Sequence, residues 1–273
     1  MPGITVEVWG AGERVVLVHG SLATGPSEWR CQRPLADEGY EVVVPTRRAY
    51  VHTSVGEDFL SDGADVAELL GDGAHLVGHS YGGLAALVAA DLRPEAVRSL
   101  VLAEPPLFQV AADHPAVRRL ELRLRAAFAS RTGDREFLEH FLHVVGVPVD
   151  ELSAALLDEL VALVPALRRA RQPWEARVPV DGLRTAPYPV VAVSGRHDEA
   201  FHAVCAALAH DHRAELRVIQ GAGHEVQTVA EEFNAVLRDL WHGSRERAPD
   251  GVSGRCRLGH GSATGPSGTP APG

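Results

Sequence analysis

The feature that most constrains this chain is the stretch 74–83, AHLVGHSYGG, which carries a Gly-x-Ser-x-Gly pattern with Ser80 at its centre. The apolar run before the pattern predicts a buried strand, and the Ala/Leu-rich run from Leu84 to Leu92 predicts a helix. A strand that turns into a helix within about four residues crowds the backbone, so glycines are needed beside the central residue. Ser80 is therefore a candidate nucleophile, and the amide of Tyr81 at the helix start is a candidate oxyanion donor.

The composition excludes two classes of partner. The chain has 273 residues and a net charge of −10, and this charge argues against a general nucleic-acid binder because phosphate contacts need clustered Lys and Arg. No apolar run approaches the ~20 residues of a membrane span, and the N-terminus MPGITVEV has neither a basic start nor an apolar signal core. With three cysteines that have no metal-ligand spacing, we expect a cytoplasmic protein in a reducing compartment, with no membrane partner.

Alternating strand and helix patterns predict the fold class. Short apolar runs joined to amphipathic stretches by short loops call for right-handed crossovers and an α/β fold, with helices on both faces of a mostly parallel central sheet. From about Leu107 to Val178 only helical patterns occur, which predicts a helical cap inserted above the sheet. The predicted units are an α/β core over 1–104 and 179–242, a helical cap over 105–178, and a disordered tail over 243–273 rich in Gly, Ser, Pro and Arg.

A serine nucleophile needs a base, and the base needs an acid that orients it. His224 follows the last predicted strand on a Gly-Ala-Gly turn, which can bring its imidazole to Ser80. Asp198 stands at the carboxyl end of the preceding strand, on the same sheet edge, and is the favoured acid; its alternative role is to cap the next helix. Glu104, at another strand end on this edge, is the rival acid or otherwise a pocket residue.

The second oxyanion donor is expected in the loop that follows the strand VVLV at 15–18. Ligands of open α/β sheets bind beyond the carboxyl ends of the strands, so this loop should meet the Ser80 corner. The backbone N–H of Ser21, or failing that of Leu22, is the predicted partner of the Tyr81 amide. His19 and Leu22, with Glu104, are predicted to line the substrate pocket.

These motifs, in the order nucleophile, acid, histidine, resemble the α/β-hydrolase superfamily from Val15 to about Leu240. The resemblance implies a Ser-His-Asp hydrolase with an acyl-enzyme intermediate and no cofactor, similar to capped bacterial esterase-like proteins. A serine nucleophile differs from the Asp of the superfamily's haloalkane dehalogenases and epoxide hydrolases. The glycine-rich Asp-x-Arg-Gly-x-Gly-x-Ser loop common in the family is replaced by PTRRAYVHTS at 45–54, and we expect 45–57 to be a solvated connection.

The sequence thus predicts a serine hydrolase that cleaves a carboxylic ester, lactone or thioester of a small molecule, with no metal. Two alternatives stay open. The same residues could serve C–C bond hydrolysis, amide hydrolysis or cofactor-free perhydrolysis, or the fold could bind a ligand without turnover. The identity of the substrate and the oligomeric state are not encoded in these patterns.

Overall fold

The computed structural model describes residues 3–52, 54–175 and 177–247, with side chains through His242. Within these ranges seven strands form one sheet in the order β1-β3-β2-β4-β5-β6-β7. The strands are β1 Thr5–Trp9, β2 Glu13–Val18, β3 Tyr40–Thr46, β4 Ala74–His79, β5 Val97–Ala103, β6 Val190–Ser194 and β7 Glu215–Val218. Strand β1 pairs antiparallel with β3, and every other strand pair is parallel, so the predicted mostly parallel sheet is confirmed.

Helices connect the parallel strands. The α-helices are α1 Gly25–Glu28, α2 Arg48–Val51, α3 Phe59–Leu69, α4 Tyr81–Leu92, α5 Pro115–Ala129, α6 Asp134–Val144, α7 Ala154–Val161, α8 Val164–Arg168, α9 Glu199–His212 and α10 Ala230–Arg247. Shorter-pitch 3₁₀ segments are Trp29–Glu38, Pro94–Ala96, Phe108–Ala111, Val149–Glu151, Asp181–Thr185 and Val226–Thr228. The segment Trp29–Glu38 is a 3₁₀ helix with Pro34 inside it, a residue that cannot donate a backbone hydrogen bond.

Two hydrophobic clusters cover the two faces of the sheet. One cluster joins β4 and β5 side chains such as Leu76 and Leu100 to α3, α4 and α9. The other joins Val77 and Val101, the neighbours that point the opposite way, to α10 and the 29–38 segment. Because successive side chains of a strand face opposite sides, a run buried at every position needs helices on both faces. The continuous apolar strands of the sequence are explained by this arrangement.

The cap segment, residues 105–178, contains α5 to α8 and no strand among its described residues. Its helices form a small core of their own around Phe137, Leu138, Leu142 and Leu167. Leu22, from the loop after β2, belongs to that same cluster, so the cap segment packs directly on a loop at the carboxyl edge of the sheet.

Two further expectations concern the C-terminal tail and helices that could span a membrane. Helix α10 continues through Arg247, five residues into the predicted disordered tail, and the rest of that tail lies outside the described residues. None of the described helices combines the length and the apolar character needed to cross a membrane.

Candidate active site

Ser80 lies at the sharp turn between β4 and α4. Its backbone angles, φ 48° and ψ −125°, are a region that non-glycine residues rarely adopt, so the turn is strained as predicted. A Cβ at Gly82 would lie 2.4 Å from the carbonyl oxygen of His19, and one at Gly78 would lie 2.6 Å from the carbonyl oxygen of Gly82. The close passage of strand and helix therefore requires both glycines, and it leaves Ser80 half-buried and reachable from the cavities described below.

His224 meets Ser80 across 144 residues of sequence. Its Nε2 lies 2.9 Å from the Ser80 Oγ, a hydrogen-bond distance that allows the imidazole to take the hydroxyl proton. Burial, followed by the positive charge of His79, lowers the pKa of His224 to about 3. The imidazole is therefore neutral at pH 7 and has a lone pair available for a proton.

Two acids lie on the same sheet edge, in different environments. The Oδ1 of Asp198 accepts a hydrogen bond of 2.7 Å from the Ala200 N–H, so this side chain caps α9. The Oε2 of Glu104 lies 3.8 Å from the Nδ1 of His224, and neither atom has a hydrogen-bond partner among the described residues. The structure thus brings Glu104 to the second ring nitrogen of His224 and places the Asp198 carboxylate on a helix terminus.

Glu104 is held in a strained position of its own. Its φ of 48° equals that of Ser80, and its side chain is fully buried at the end of β5. The Oε1 atom accepts a hydrogen bond of 2.6 Å from the Gly195 N–H, which fixes the carboxyl group, and burial raises its pKa. Backbone strain and the burial of a charged side chain each reduce the stability of a fold. Residues that combine them are therefore retained mainly where a functional site needs them. Glu104 lines neither cavity at Ser80, although the sequence offered it as a pocket residue.

His79 and Glu28 form a buried pair beneath the site. The two nitrogens of His79 face acceptors, the Glu28 carboxylate at 3.0 Å and the His224 carbonyl oxygen at 3.0 Å, so both donate as in an imidazolium. Burial would lower the pKa of His79, but the charges of Glu28 and Glu225 outweigh it and raise the pKa to about 9. Glu28 also accepts from the Gly20 N–H at 2.9 Å. The pair therefore ties the loop of Gly20 to the loop of His224.

The loop after β2 brings the predicted oxyanion residues to Ser80. The Leu22 N–H donates to the Tyr50 hydroxyl at 2.7 Å, so it is already engaged, whereas Leu22 itself lines a cavity at Ser80. Ser21 lines both cavities that reach Ser80. His19 is fully buried and lines neither cavity: its Nδ1–H donates to the Gly20 carbonyl and its Nε2 accepts from the Arg47 N–H. His19 shapes the loop rather than the pocket wall.

The segment 45–57 differs from the solvated connection that the sequence suggested. Arg47 is almost fully buried and pairs with Glu57 at 2.6 Å and Asp62 at 2.9 Å. Two other N–H groups of the guanidinium donate to the His19 and Gly20 carbonyls. A planar guanidinium can satisfy several buried acceptors at once, which explains how a charge-rich segment folds inward. Arg47 thereby fixes the loop that carries Ser21.

Two cavities meet at Ser80. The narrower one, of about 40 Å³, runs under the cap segment and is mostly apolar, with Phe128, Phe141 and Trp174 in its wall. The wider one, of about 290 Å³, opens beside His224 and is lined by cap residues such as Leu156 together with Arg30 and Glu225. A substrate with a small apolar part and a larger, more polar part could therefore straddle Ser80.

Several residues of this site escaped sequence reasoning. Arg47, Glu57 and Glu28 act through long-range pairs that no local pattern reveals. His79 stands inside the Gly-x-Ser-x-Gly pattern, so its position was visible, although its role was not. His197 lies in the loop of Asp198, and its Nδ1 approaches the Glu104 Oε2 to 3.6 Å.

Comparisons with known proteins identify the family of the chain. The chain matches the model described as Alpha/beta hydrolase family over residues 15–236. It is 30% identical over 211 residues to pimeloyl-[acyl-carrier protein] methyl ester esterase of Methylococcus capsulatus, covering 72% of this chain and 80% of that protein. It is 31% identical over 180 residues to epoxide hydrolase A of Mycobacterium tuberculosis; that match covers 61% of this chain and 53% of the relative, about half of its length.

Solved structures share the fold at low sequence identity. A structure described as Est816, an N-acyl homoserine lactone degrading enzyme, aligns with a TM-score of 0.64 and 23% identity, covering 87% of this chain and 96% of that one. A thermophilic esterase from Thermogutta terrifontis aligns with a TM-score of 0.64 and 21% identity, covering 89% and 93% of the two chains. At such identities the likeness concerns the fold alone.

Proposed function

The chain belongs to the alpha/beta hydrolase family, and we propose that it is a serine hydrolase that cleaves carboxylic esters, lactones or thioesters through an acyl-enzyme. The observation that carries the proposal is the 2.9 Å contact between the Ser80 Oγ and the His224 Nε2 at a strained strand–helix turn. A serine hydroxyl becomes an effective nucleophile only beside such a base.

The proposed mechanism has two halves. As the Ser80 Oγ attacks the carbonyl carbon, His224 takes the hydroxyl proton, and it then donates that proton to the departing alcohol or thiol. Water then attacks the acyl-enzyme, with His224 accepting a proton from the water and returning it to Ser80. The lowered pKa of His224 keeps the imidazole in its basic form before each attack.

We propose Glu104, rather than Asp198, as the acid that orients His224. Two observations support it: the 3.8 Å approach of its Oε2 to the His224 Nδ1, and the lack of another partner for either atom among the described residues. A movement of about 1 Å would form the hydrogen bond. Asp198 is already engaged as a helix cap, the alternative role that Asp commonly fills.

The proposed oxyanion hole consists of the backbone N–H groups of Tyr81 and Ser21. The Tyr81 amide is the first of α4, where helix N–H groups lack partners within the helix. Ser21 is favoured over Leu22 because the Leu22 N–H donates to Tyr50. Loss of one such donor typically costs about 3 kcal/mol of transition-state stabilisation.

The cavities suggest the orientation of the substrate. We assign the apolar cavity under Phe128 and Trp174 to a short acyl group and the wider cavity near Arg30 to the alcohol or thiol portion. Similarity to a protein named as a methyl ester esterase supports ester chemistry. The cytoplasmic location expected from the sequence remains a prediction.

The test uses p-nitrophenyl acetate and butyrate together with a fluorophosphonate probe, on the wild type and on Ser80→Ala. We expect ester turnover and probe labelling in the wild type and neither in Ser80→Ala. Labelling of Ser80 without turnover of any ester, lactone or thioester would favour another chemistry of the fold. An unlabelled wild type whose ligand binding does not change in Ser80→Ala would favour a binding protein.

A further inference from the structure

Behind the Ser80–His224 pair lies a cluster of three side chains: Glu104 and His224 are buried, and His197 is partly buried. Their facing atoms are the Glu104 Oε2 and the Nδ1 atoms of the two histidines, all within 4.8 Å of one another. The Oε2 is 3.6 Å from the His197 Nδ1 and 3.8 Å from the His224 Nδ1. All three atoms are buried, and none has a hydrogen-bond partner within the described part of the chain. Three unpaired polar atoms facing one another are rare in a protein interior.

The tautomer of His197 is set by the cap segment. Its Nε2 lies 3.2 Å from the Val145 carbonyl oxygen, an acceptor only, so the ring proton is on Nε2. In the neutral ring the Nδ1 then carries a lone pair that faces the Glu104 carboxylate. Two acceptors at this distance repel each other unless a proton or a metal ion lies between them. The ring cannot easily turn away, because it packs against Phe201 and against Gly146, where a Cβ would come within 2.6 Å of it.

The separations suit a small transition-metal ion. Bond lengths of about 2.0–2.1 Å in a tetrahedral zinc site place neighbouring ligand atoms about 3.3–3.4 Å apart. The two carboxylate-to-imidazole separations, 3.6 and 3.8 Å, exceed this by a few tenths of an ångström, within reach of small side-chain rotations. Two imidazoles and one carboxylate favour zinc over magnesium or calcium, which prefer oxygen ligands.

Outer contacts hold two of the three side chains in place. The Val145 carbonyl accepts from His197, and the Gly195 N–H donates to the second oxygen of Glu104 at 2.6 Å. Metal-binding histidines usually donate their other N–H to a carbonyl or carboxylate, and metal-binding carboxylates are usually hydrogen-bonded in turn. Both features are present here.

We propose that Glu104, His197 and His224 bind one zinc-like divalent ion, and that this ion switches off the hydrolase. An ion on the His224 Nδ1 forces the ring proton onto Nε2, where it points at the Ser80 Oγ. That nitrogen then donates to the hydroxyl and cannot take its proton. The ion also occupies the carboxylate oxygen that would orient His224. The inhibitory half of the proposal rests on the proposed function, whereas the binding half does not.

Zinc binding is measured first on Ser80→Ala, whose chemistry is already removed. After treatment with EDTA and dialysis, titration calorimetry with zinc chloride should give one ion per chain in the wild type and in Ser80→Ala. His197→Phe, which keeps an aromatic ring against Phe201, should bind at least tenfold more weakly. His140→Phe, an exposed histidine on α6, is the matched control and should bind like the wild type. X-ray absorption of the zinc-loaded wild type should show two imidazole ligands, and this measurement does not depend on the folding of a variant.

Inhibition is measured as the ratio of ester turnover with and without zinc, each variant being compared with its own zinc-free rate. Zinc should reduce turnover of the wild type and of His140→Phe at least tenfold, reversibly by EDTA, and should affect His197→Phe far less. Absence of saturable zinc binding to the wild type, or equal binding by His197→Phe, would overturn the site. Saturable binding without inhibition would overturn the switch. If no variant turned over any ester, the proposed function would fail, and calorimetry would still decide on the site.

Discussion

Replacing Glu104 by Gln is the substitution that most sharply divides the two candidate acids. Gln keeps the shape of the side chain and an oxygen for the Gly195 N–H, and it removes only the negative charge. In the transition state His224 is positively charged, with its Nδ1 3.8 Å from the Glu104 Oε2. At an effective dielectric constant of about 20, the attraction over that distance is about 4 kcal/mol. Loss of that attraction corresponds to a decrease in kcat of about 10³-fold.

Asp198→Asn is the matched control. Asn caps a helix about as well as Asp, so α9 should keep its terminus. The Asp198 carboxylate is partly exposed and its charge is screened by water, so kcat should change by less than about threefold. The assay is p-nitrophenyl butyrate hydrolysis after EDTA treatment, with thermal unfolding followed by circular dichroism to show that both variants fold. A loss of several hundredfold in Asp198→Asn, with nearly full activity in Glu104→Gln, would refute the assignment.

Three further predictions concern stability and specificity. Burial lowers the pKa of His224 to about 3, so as the pH falls below 6.5 the unfolded chain binds a proton that the folded chain does not. Between pH 6.5 and 5.0 this difference should lower the free energy of unfolding, measured in urea, by about 1.6 kcal/mol. His224→Gln should abolish that part of the pH dependence. Arg47→Met strands two buried carboxylates and should cost about 3–5 kcal/mol by the same measurement, whereas a loss under 1 kcal/mol would contradict the buried network. Trp174→Ala should raise the kcat/KM ratio of p-nitrophenyl octanoate to acetate by on the order of tenfold, and an unchanged ratio would exclude this cavity as the acyl site.

The sequence predicted the parts of this protein that local pattern controls. The parallel sheet follows from continuous apolar runs, and the strained Ser80 corner follows from glycines at fixed spacing, because both depend on neighbouring residues. The contact of His224 with Ser80 was also predictable, since the carboxyl ends of parallel strands lie at the same edge of the sheet and the loops that follow them are close together.

The acid could not be chosen on the same grounds. Glu104 and Asp198 both follow strands that end on that edge, so position in the sequence fits either one. The two acids differ in where their side chains point. The positive φ of Glu104 turns its carboxylate inward, whereas the Asp198 carboxylate accepts a hydrogen bond from the Ala200 N–H, two residues later. Arg47 was misjudged for a related reason, because its carboxylate partners lie 10 and 15 residues away and only the folded chain brings them together.

The central claim is that Ser80 forms an acyl-enzyme, and intact-protein mass spectrometry tests it most directly. Rapid acid quenching of the wild type with p-nitrophenyl butyrate should show one added butyryl group, located by peptide mapping on Ser80. The histidine variant His224→Gln should acylate far more slowly, and Ser80→Ala should acquire no acyl group. Turnover of the ester with no acylated species at any quench time, or with the acyl group on another residue, would contradict the account.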